Sequence, residues 1–532
     1  MPLRRGRGKA LSPLELEVLC GGKAPSLQWL GGSDLQIIHS SQNLQFIAAT
    51  PSVSHPPALS PSINSRLNYL QSAKQPHPRP MPLPPAPNLP PLAQTLSLIA
   101  DPTGFLDRCA QRYGDPFTLR VLGKEPPVVF FSEPNQIEAI FTKLSDRLEL
   151  GKVTHIFRPL TGDQSLIMQD GQRHQQQRQL LMPTMHGDRL HRCGQLICDI
   201  TEDVISRWQI GAIDLQASML DISLEIILRV VFGLEPGERA QQLKQHLHRL
   251  MEDINNPLYS VQFFLPPLQK NLGVWSPWGK FLRLRQQIDE LIYAEIADRR
   301  LHEVDRADIL SMLLSARDAA GEPLSDVELR DQLMTLLLLG HETTASGLAW
   351  IFYWLSQQPD TRDRLLTELD ATEAAPAQLA QQPYLSAVCK EALRVYPIAL
   401  ISQPRVVKES IELAGYQFDP GAVLVPCIYL AHRRAETYPN PTEFQPDRFL
   451  HSKLSAYEYL PFGGGSRSCI GAALALFEMK LVLATVLRRY ELTAIEPLPP
   501  ARPTRRGITF VPPSRFRLAI AGARSRPTAV AH

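Results

Sequence analysis

The sequence lacks the features that mark several common protein classes. Its 532 residues carry a formal net charge of +2, so charge favours neither a nucleic acid nor an acidic partner. Aromatic residues make up 7% and are not interleaved with basic residues as in proteins that bind single-stranded nucleic acid. No apolar run approaches the roughly 18 residues of a membrane-spanning helix. The 44% hydrophobic share is ample for a large globular core.

Cysteine is scarce and irregularly spaced. The seven cysteines form no C-x-x-C, C-x-x-C-H or iron–sulfur pattern. An odd number without such a pattern argues against a disulfide scaffold and favours a reducing, cytoplasmic location.

Regular periodicity is missing from the first part of the chain. Residues 1–80 are predicted to be a low-complexity extension, disordered or non-native, and Met81 is a candidate start. Pro13 and Glu15 interrupt the apolar stretch that a secretory signal peptide needs, whereas the scarcity of acidic residues leaves an organelle transit peptide open.

Globular sequence follows, with a domain expected over 81–520 and a disordered tail over 521–532. Most of it has helical periodicity up to about Pro397. Short strand signals occur at 116–123, 126–134, 411–417 and 423–426. The sequence therefore predicts a mainly α fold with a minor β region.

The stretch FGGGSRSCIG, residues 462–471, is too specific for an ordinary loop. A dinucleotide-binding loop would need a glycine at Ser468, a phosphate-binding loop would need G-K-[ST], and a zinc site would need more ligands. What remains is a single-thiolate metal site. A helix predicted over 471–489 would place Cys469 at its start, where the helix dipole favours a thiolate.

This stretch resembles the haem-binding signature F-x-x-G-x-R-x-C-x-G of the cytochrome P-450 superfamily. Phe462, Gly465, Arg467, Cys469 and Gly471 fill its fixed positions. The resemblance covers about residues 85–520 and implies the fold of that superfamily, with haem b between an oxygen-binding helix and the helix after the cysteine loop. It implies that Cys469 is the axial ligand of the iron and that the other four residues bind the cofactor.

Three further motifs accompany the signature. His174 and Arg178 lie one helical turn apart, and spacing alone would indicate a solvated charged helix. The resemblance implies that they bind the haem propionates together with Arg405.

Glu391 and Arg394 are separated by three residues and alone would be an ordinary surface pair. The resemblance implies that Glu391 and Arg394 form a buried structural triad with Arg448.

The longest helix signal runs from a capping box, Ser325 and Glu328, to about Gln358. Polar residues interrupt its apolar pattern at mid-helix. This segment resembles the kinked oxygen-binding helix of the superfamily, in which Glu342 and Thr343 would be the acid–alcohol pair that organises proton-carrying waters.

One position departs from the superfamily pattern, because Leu339 stands where alanine or glycine is usual. We expect its larger side chain to narrow the space above the haem. The expected substrate pocket is apolar and comprises Leu336, Leu339, Gly340, Ala399, Leu400 and Ile401.

The resemblance implies a monooxygenase of the soluble bacterial type that hydroxylates a lipophilic molecule (a fatty acid, alkane or terpenoid) with O2. We expect a monomer without a transmembrane anchor. Electrons would come ultimately from NAD(P)H through ferredoxin and ferredoxin reductase or flavodoxin, with Arg173, Lys480 and Arg488 as a candidate basic docking face. A peroxygenase or haem isomerase and a non-catalytic haem-binding protein stay open as alternatives.

Overall fold

The computed structural model describes residues 83–121, 127–302, 306, 308–318, 320–495, 502–513 and 516–524. The expectations for residues 1–80 and for Met81 lie outside these residues. Among the described residues, no helix has both the length and the apolar character needed to cross a membrane.

Helices dominate the described part of the chain, and many begin at a proline in the first turn, where its missing N–H costs nothing. In chain order they are α1 Pro91–Ala100, α2 Pro102–Tyr113, α3 Pro134–Phe141, α4 Arg158–Thr161, α5 Gly171–Leu181, α6 Asp188–Arg192, α7 Gly194–Ile205, α8 Leu215–Ile226, α9 Glu238–Asn255, α10 Pro257–Ser260, α11 Pro277–Leu301, α12 Ile309–Ser315, α13 Asp326–Gln357, α14 Pro359–Asp370, α15 Pro376–Leu379, α16 Pro383–Val395, α17 Ile428–Ala431, α18 Arg448–His451 and α19 Ala472–Arg489.

The strands are short and form a minor part of the fold. They are β1 Phe117–Leu119, β2 Val128–Phe131, β3 Leu148–Glu149, β4 Gly211–Ile213, β5 Arg405–Val407, β6 Ile411–Leu413, β7 Tyr416–Phe418, β8 Val423–Pro426, β9 Tyr490–Ala494, β10 Thr504–Arg506, β11 Thr509–Val511 and β12 Leu518–Ala523. The largest sheet has the order β1-β2-β8-β5-β3, in which only β2 and β8 pair in parallel. A three-stranded sheet β4-β12-β9 and the hairpins β6–β7 and β10–β11 complete the set.

The long helix α13 passes between two hydrophobic cores. Its first half, from Leu329 to Leu338, packs in one core with α9, α11 and α12. Its second half, from Ala345 to Leu355, packs in the other core with α7, α16 and α19. The predicted capping box of Ser325 and Glu328 starts the helix, and the helix is continuous to Gln357, one residue before the expected end at about Gln358.

The boundary expected at residue 520 falls inside a strand, and residues 525–532 of the expected tail lie outside the described residues. Strand β12 continues to Ala523, three residues into the segment for which a disordered tail is expected. Arg524 then forms an ion pair with Asp370 at the end of α14. Sheet pairing with β9 orders this end of the domain, a long-range contact that local sequence does not encode.

A buried ion-pair network ties α16 to the loop before the cysteine stretch. The guanidinium of Arg394 lies 2.6 Å from the carboxylate of Glu391, and Arg448 lies 3.2 Å from the same carboxylate. Arg394 also donates to the backbone carbonyls of His432, Pro441 and Glu443. The three charges of the expected triad are thus together, and Glu391 and Arg394 are fully buried.

We predict that Glu391→Gln strongly destabilises the fold, because it leaves two arginines in a buried site without their carboxylate. Breaking a buried pair in this way costs roughly 3–5 kcal/mol. Thermal unfolding followed by circular dichroism measures the effect. The control is Asp447→Asn, which breaks the solvent-exposed pair between Arg364 and Asp447 and should leave the melting temperature nearly unchanged. Equal effects of the two substitutions would contradict the prediction.

Candidate functional site

The cysteine loop is closed by its own backbone and fitted against α3. The amide of Cys469 donates to the carbonyl of Phe462 over 2.9 Å, which folds residues 462–469 back on themselves. Gly465 has φ +66°, and a Cβ there would lie 2.7 Å from the carbonyl oxygen of Phe141. Glycine is therefore required at this position both by the left-handed backbone and by the close approach of α3.

Cys469 lies just before α19. Its residue surface is exposed, whereas Cys109, Cys193, Cys389 and Cys427 are buried. Surrounding protein atoms desolvate the thiol and raise its pKa, while a hydrogen bond from the Gly471 backbone and the charge of Arg178 lower it. The accessible cysteine thus has the helix start and neighbouring cation that suit a metal-ligating thiolate.

Basic side chains surround this loop. Arg178 on α5 donates to the carbonyl of Ser468 over 2.7 Å and to its hydroxyl over 2.9 Å. Arg467 donates to the carbonyl of Gln169 and pairs with Asp170, which precedes α5. Helix α5 and the cysteine loop are therefore held together by arginines.

Positive charge is concentrated here in a partly desolvated space. Desolvation, aided by repulsion from Arg467, lowers the pKa of Arg405 to about 10 and the pKa of His174 to about 3. Desolvation also lowers the pKa values of Arg178 and Arg467. An anionic ligand would offset these costs, since buried charges need partners.

The residues present fit the haem that the resemblance implies. A haem carries two carboxylates and one iron, and the structure offers a cluster of desolvated cations beside one accessible thiol. Of the residues expected to bind the haem, Arg178 donates to the carbonyl of Ser468, and its charge acts on the Cys469 thiol. The charge of Arg467 acts on His174 and on Arg405. Phe462 supplies the carbonyl that closes the loop, and Gly465 and Gly471 supply close backbone approach.

One face of α13 is less buried than the rest of the helix, and we call it the open face. Leu336, Leu339, Gly340 and Thr343 are half-buried, while nearly all their neighbours along the helix are buried. Their spacing of i, i+3, i+4 and i+7 puts them on a single face. This face is largely apolar, and it includes Leu339.

The other expected pocket residues lie in the segment after α16. Ala399 and Ile401 are exposed, but Leu400 between them is buried in the core that backs the large sheet. The backbone of this segment is fixed because Tyr429 donates its amide to the carbonyl of Leu400. Leu400 therefore points into the protein core, away from the side on which Ala399 and Ile401 are exposed.

Glu342 is held by two residues that are distant in sequence. Its carboxylate oxygen Oε1 accepts a hydrogen bond of 3.0 Å from Nε of Arg506 and one of 3.1 Å from Asn255. Burial raises the pKa of Glu342, while Arg506 and Asn255 lower it. The glutamate is thus a buried acid whose proton affinity depends on a half-exposed arginine at the end of β10.

The hydroxyl of Thr343 donates to the carbonyl of Leu339 over 2.6 Å. Its oxygen keeps acceptor capacity, because a hydroxyl has two lone pairs in addition to its single O–H donor. Thr343 can therefore accept a hydrogen bond from a water molecule on the open face of α13 while remaining anchored to the helix.

Sequence reasoning did not find Arg506 and Asn255, because these residues lie 164 and 87 positions from Glu342 and no local motif links them. Two of the three residues expected to form a basic docking face make hydrogen bonds within the fold. Lys480 donates to the carbonyl of Ala380, and Arg488 donates to the carbonyls at the end of α14, so both are engaged within the fold.

A protein-family model described as "Cytochrome P450" matches residues 80–519. Cytochrome P450 135B1 of Mycobacterium tuberculosis is 36% identical over 447 residues, covering 84% of this chain and 92% of the relative. Cytochrome P450 138 of Mycobacterium bovis is 33% identical over 437 residues, covering 81% of this chain and 94% of the relative.

Solved structures with a similar fold include retinoic acid-bound cyanobacterial CYP120A1, at 25% identity and a TM-score of 0.71, covering 84% of this chain and 100% of that chain. The haem domain of cytochrome P450DA is 22% identical with a TM-score of 0.70, covering 84% of this chain and 99% of that chain. These matches confirm the expected mainly helical fold with a minor β region.

We predict that Arg506→Gln raises the pKa of Glu342 further, because the substitution removes the positive charge that favours the carboxylate. The carboxyl stretching band in infrared difference spectra, followed across a pH titration and identified by its loss in Glu342→Gln, measures the pKa. Arg505→Gln is the control, since Arg505 bonds to the carbonyl of Gly507 instead of to Glu342. An unchanged titration in Arg506→Gln would show that the arginine does not set the state of the acid.

We predict that Cys469→His abolishes the strongly red-shifted Soret band that thiolate-ligated haem gives after reduction with carbon monoxide. Histidine replaces the thiolate by a neutral ligand. Cys198→Ala, which changes a half-buried cysteine on α7, should keep the band. Retention of the band in Cys469→His would refute the assignment of Cys469 as ligand.

Proposed function

This chain belongs to the cytochrome P450 family and is a haem-dependent monooxygenase that uses O2; from this premise we propose that it hydroxylates a lipophilic small molecule, such as a fatty acid, an alkane or a terpenoid. The observation that carries the substrate class is the half-buried, largely apolar face of α13 formed by Leu336, Leu339 and Gly340. Apolar linings with few polar groups bind lipophilic ligands. The similar cyanobacterial structure, which contains retinoic acid, supports the same class.

The haem, when bound, supplies the oxidation chemistry, and the protein supplies binding, orientation and protons. In this proposal Cys469 holds the iron as a thiolate. Arg178, Arg405 and Arg467 bind the carboxylates, and neutral His174 adds a hydrogen-bonding group. This assignment is supported by the low pKa of His174 and by the desolvation of the three arginines.

Glu342 and Thr343 act as the proton-handling pair in this proposal. Glu342 has a raised pKa, which suits a group that must bind and release a proton. Arg506 is half-exposed and contacts Glu342, so it lies between solvent and the buried carboxylate. Thr343 then fixes a water on the open face by accepting its hydrogen bond.

The enzyme needs a redox partner, as its family does, and we propose a separate ferredoxin with its reductase, or a flavodoxin, with NAD(P)H as the ultimate electron source. Arg173 remains the exposed member of the candidate basic docking face, with a side chain that is more than half exposed. We propose that the enzyme is a monomer and that it acts in the cytoplasm.

We predict that Thr343→Ala uncouples turnover, because the water that carries the proton loses its fixed position while electron entry is untouched. The measurement compares reductant consumed with product and hydrogen peroxide formed. Thr344→Ala is a matched control, since the hydroxyl of the buried Thr344 bonds to the carbonyl of Gly340. Coupling that is unchanged in Thr343→Ala would favour a peroxygenase or isomerase, and the absence of any product with a working redox partner would favour a non-catalytic haem protein.

We predict that Leu339→Ala widens the range of ligands, because Leu339 narrows the open face of α13. A panel of fatty acids, alkanes and terpenoids, screened through the spin-state shift of the haem spectrum, should include binders of the native protein and bulkier binders of the variant. Leu338→Ala is the control: Leu338 lies in the core, so its loss should cost roughly 2–5 kcal/mol of stability without changing ligand range. If no panel member shifts the native spectrum, the proposed substrate class is wrong.

A further inference from the structure

A buried histidine contacts the chain just before the cysteine loop, and the proposed function gives this histidine no role. His432 follows the last residue of α17, and its side chain is fully buried. Its amide donates to the carbonyl of Ile428 over 2.9 Å, and its carbonyl accepts a hydrogen bond of 2.9 Å from Arg394. The backbone of His432 is therefore fixed without any contribution from its ring.

The imidazole ring of His432 accepts a hydrogen bond from the segment that leads into the cysteine loop. The amide of Leu460 donates to Nε2 over 2.9 Å, and Leu460 is 1% exposed. A buried backbone amide needs an acceptor, because its desolvation is not repaid otherwise. Here the acceptor is a side chain 28 positions away in sequence instead of a carbonyl in a helix or strand.

The protonation state of the ring suits an acceptor. Desolvation, aided by the charges of Arg394 and Arg433, lowers the pKa of His432 to about 3, although the backbone of Arg394 acts in the opposite direction. The ring is therefore neutral at ordinary pH, and a neutral imidazole has one donor nitrogen and one acceptor nitrogen. Since Nε2 accepts the Leu460 amide, the proton of the ring lies on Nδ1.

Two tyrosines fix the plane of the imidazole ring. Tyr459 stacks on it with ring centroids 5.6 Å apart and an angle of 15° between the planes, and Tyr438 meets it edge-on at 6.2 Å. The hydroxyl of Tyr459 donates to the carbonyl of Lys390, and the hydroxyl of Tyr438 donates to the carbonyl of Glu458. Packing therefore keeps Nε2 directed at the amide of Leu460.

Two further hydrogen bonds connect Leu460 to the cysteine. The carbonyl of Leu460 accepts from the amide of Gly463 over 3.0 Å, which closes a tight turn. The carbonyl of Phe462, inside this turn, accepts from the amide of Cys469 over 2.9 Å. The backbone of Gly471 in turn hydrogen-bonds the cysteine thiol. A displacement of Leu460 would therefore be passed on to the backbone and the sulfur of Cys469.

We propose that the imidazole of His432 is a positioning residue for Cys469, because by accepting the Leu460 amide it sets the backbone of the cysteine loop. This inference rests on the proposed function, in which Cys469 holds the iron. Groups that orient a metal ligand without touching the metal can change the properties of the site strongly. The ion-pair network of Glu391 and Arg394 reaches His432 through its carbonyl, so the role proposed here belongs to the ring.

The test uses the full-length, haem-loaded protein with substitutions at position 432. His432→Phe keeps a flat ring without an acceptor, whereas His432→Gln can place Oε1 near the position of Nε2 and accept the amide. Hydrogen–deuterium exchange of peptides that contain Leu460 reports the bond. We expect exchange at Leu460 to be roughly tenfold faster in His432→Phe, because a buried amide loses its partner, and close to native in His432→Gln.

The carbon monoxide spectrum reports the state of the sulfur. In His432→Phe, the red-shifted band of thiolate ligation should be lost several-fold faster on standing than in the native protein, and His432→Gln should restore the native rate. Rates are compared at the same interval below each melting temperature. Tyr438→Phe is the matched control: it removes a buried hydrogen bond beside the ring and keeps the bond to Leu460, so it should lower the melting temperature and leave the rate unchanged.

Any one of three results overturns the proposal. The first is exchange at Leu460 in the native protein as fast as that of an exposed loop amide, a measurement that needs no variant. The second is band loss at the native rate in His432→Phe, or in His432→Asn, which is too short to reach the amide, if the former does not fold. The third is a His432→Gln variant that loses the band as fast as His432→Phe.

These results are distinguishable from a failure of the proposed function. If Cys469 does not hold the iron, the native protein itself lacks the red-shifted band, whereas all three results above leave the native band in place. Exchange at Leu460 is measured without reference to the haem spectrum, so it decides the role of the ring in the loop in either case.

Discussion

An excess of partly desolvated positive charge around Cys469 is the constraint on which the rest of the site depends. Arg178, Arg405 and Arg467 converge there, and Asp170 is the carboxylate that pairs with Arg467. Like charges repel strongly where water is scarce, so this arrangement costs stability in the protein alone. Under the proposed function, the two carboxylates of a bound haem would offset this cost, and α5, β5 and the cysteine loop would each contribute one of the cations.

The second constraint is that helix α13 must pack in two hydrophobic cores and also carry residues of the candidate functional site. Helix α13 is buried on both sides of its midpoint, and its ends are fixed by large apolar clusters. Its midpoint carries Glu342 and Thr343, whose polar side chains would be costly in an ordinary core. The hydroxyls return hydrogen bonds to the helix backbone, and the carboxylate receives two from other segments. The apolar packing at both ends of α13 offsets the cost of placing these polar groups at its midpoint.

Local patterns in the sequence were sufficient to predict the elements and much of the loop chemistry. The capping box at Ser325 starts the long helix as predicted, and the helix after Cys469 begins at Ala472, one residue from the expected start. The mainly helical class follows from periodicity, and the haem-binding role of residues 462–471 is what their resemblance to the superfamily signature implies. Both are encoded within a few consecutive residues, where spacing directly determines geometry.

Features that depend on contacts between distant segments could not be predicted in the same way. Leu400 has the same apolar character as its neighbour Ile401, and only the packing of the sheet decides that Leu400 faces the core. From the sequence alone, Lys480 is a candidate for a basic docking face. In the fold, it donates a hydrogen bond to the carbonyl of Ala380. The strand β12 is likewise specified by its partners and not by its own residues.

The environment of Glu342 joins these local and long-range requirements. Burial raises the pKa of the Glu342 carboxyl, because desolvation disfavours its charged form. Arg506 and Asn255 oppose this effect, so the two states of the acid are brought closer in free energy. The guanidinium comes from the hairpin β10–β11 and the amide from the last residue of α9. Any movement of these two elements would therefore change the proton affinity of Glu342, because each element reaches the carboxylate through a hydrogen bond of about 3 Å. In this way the fold couples the surroundings of the proposed substrate site to the acid–base chemistry of Glu342.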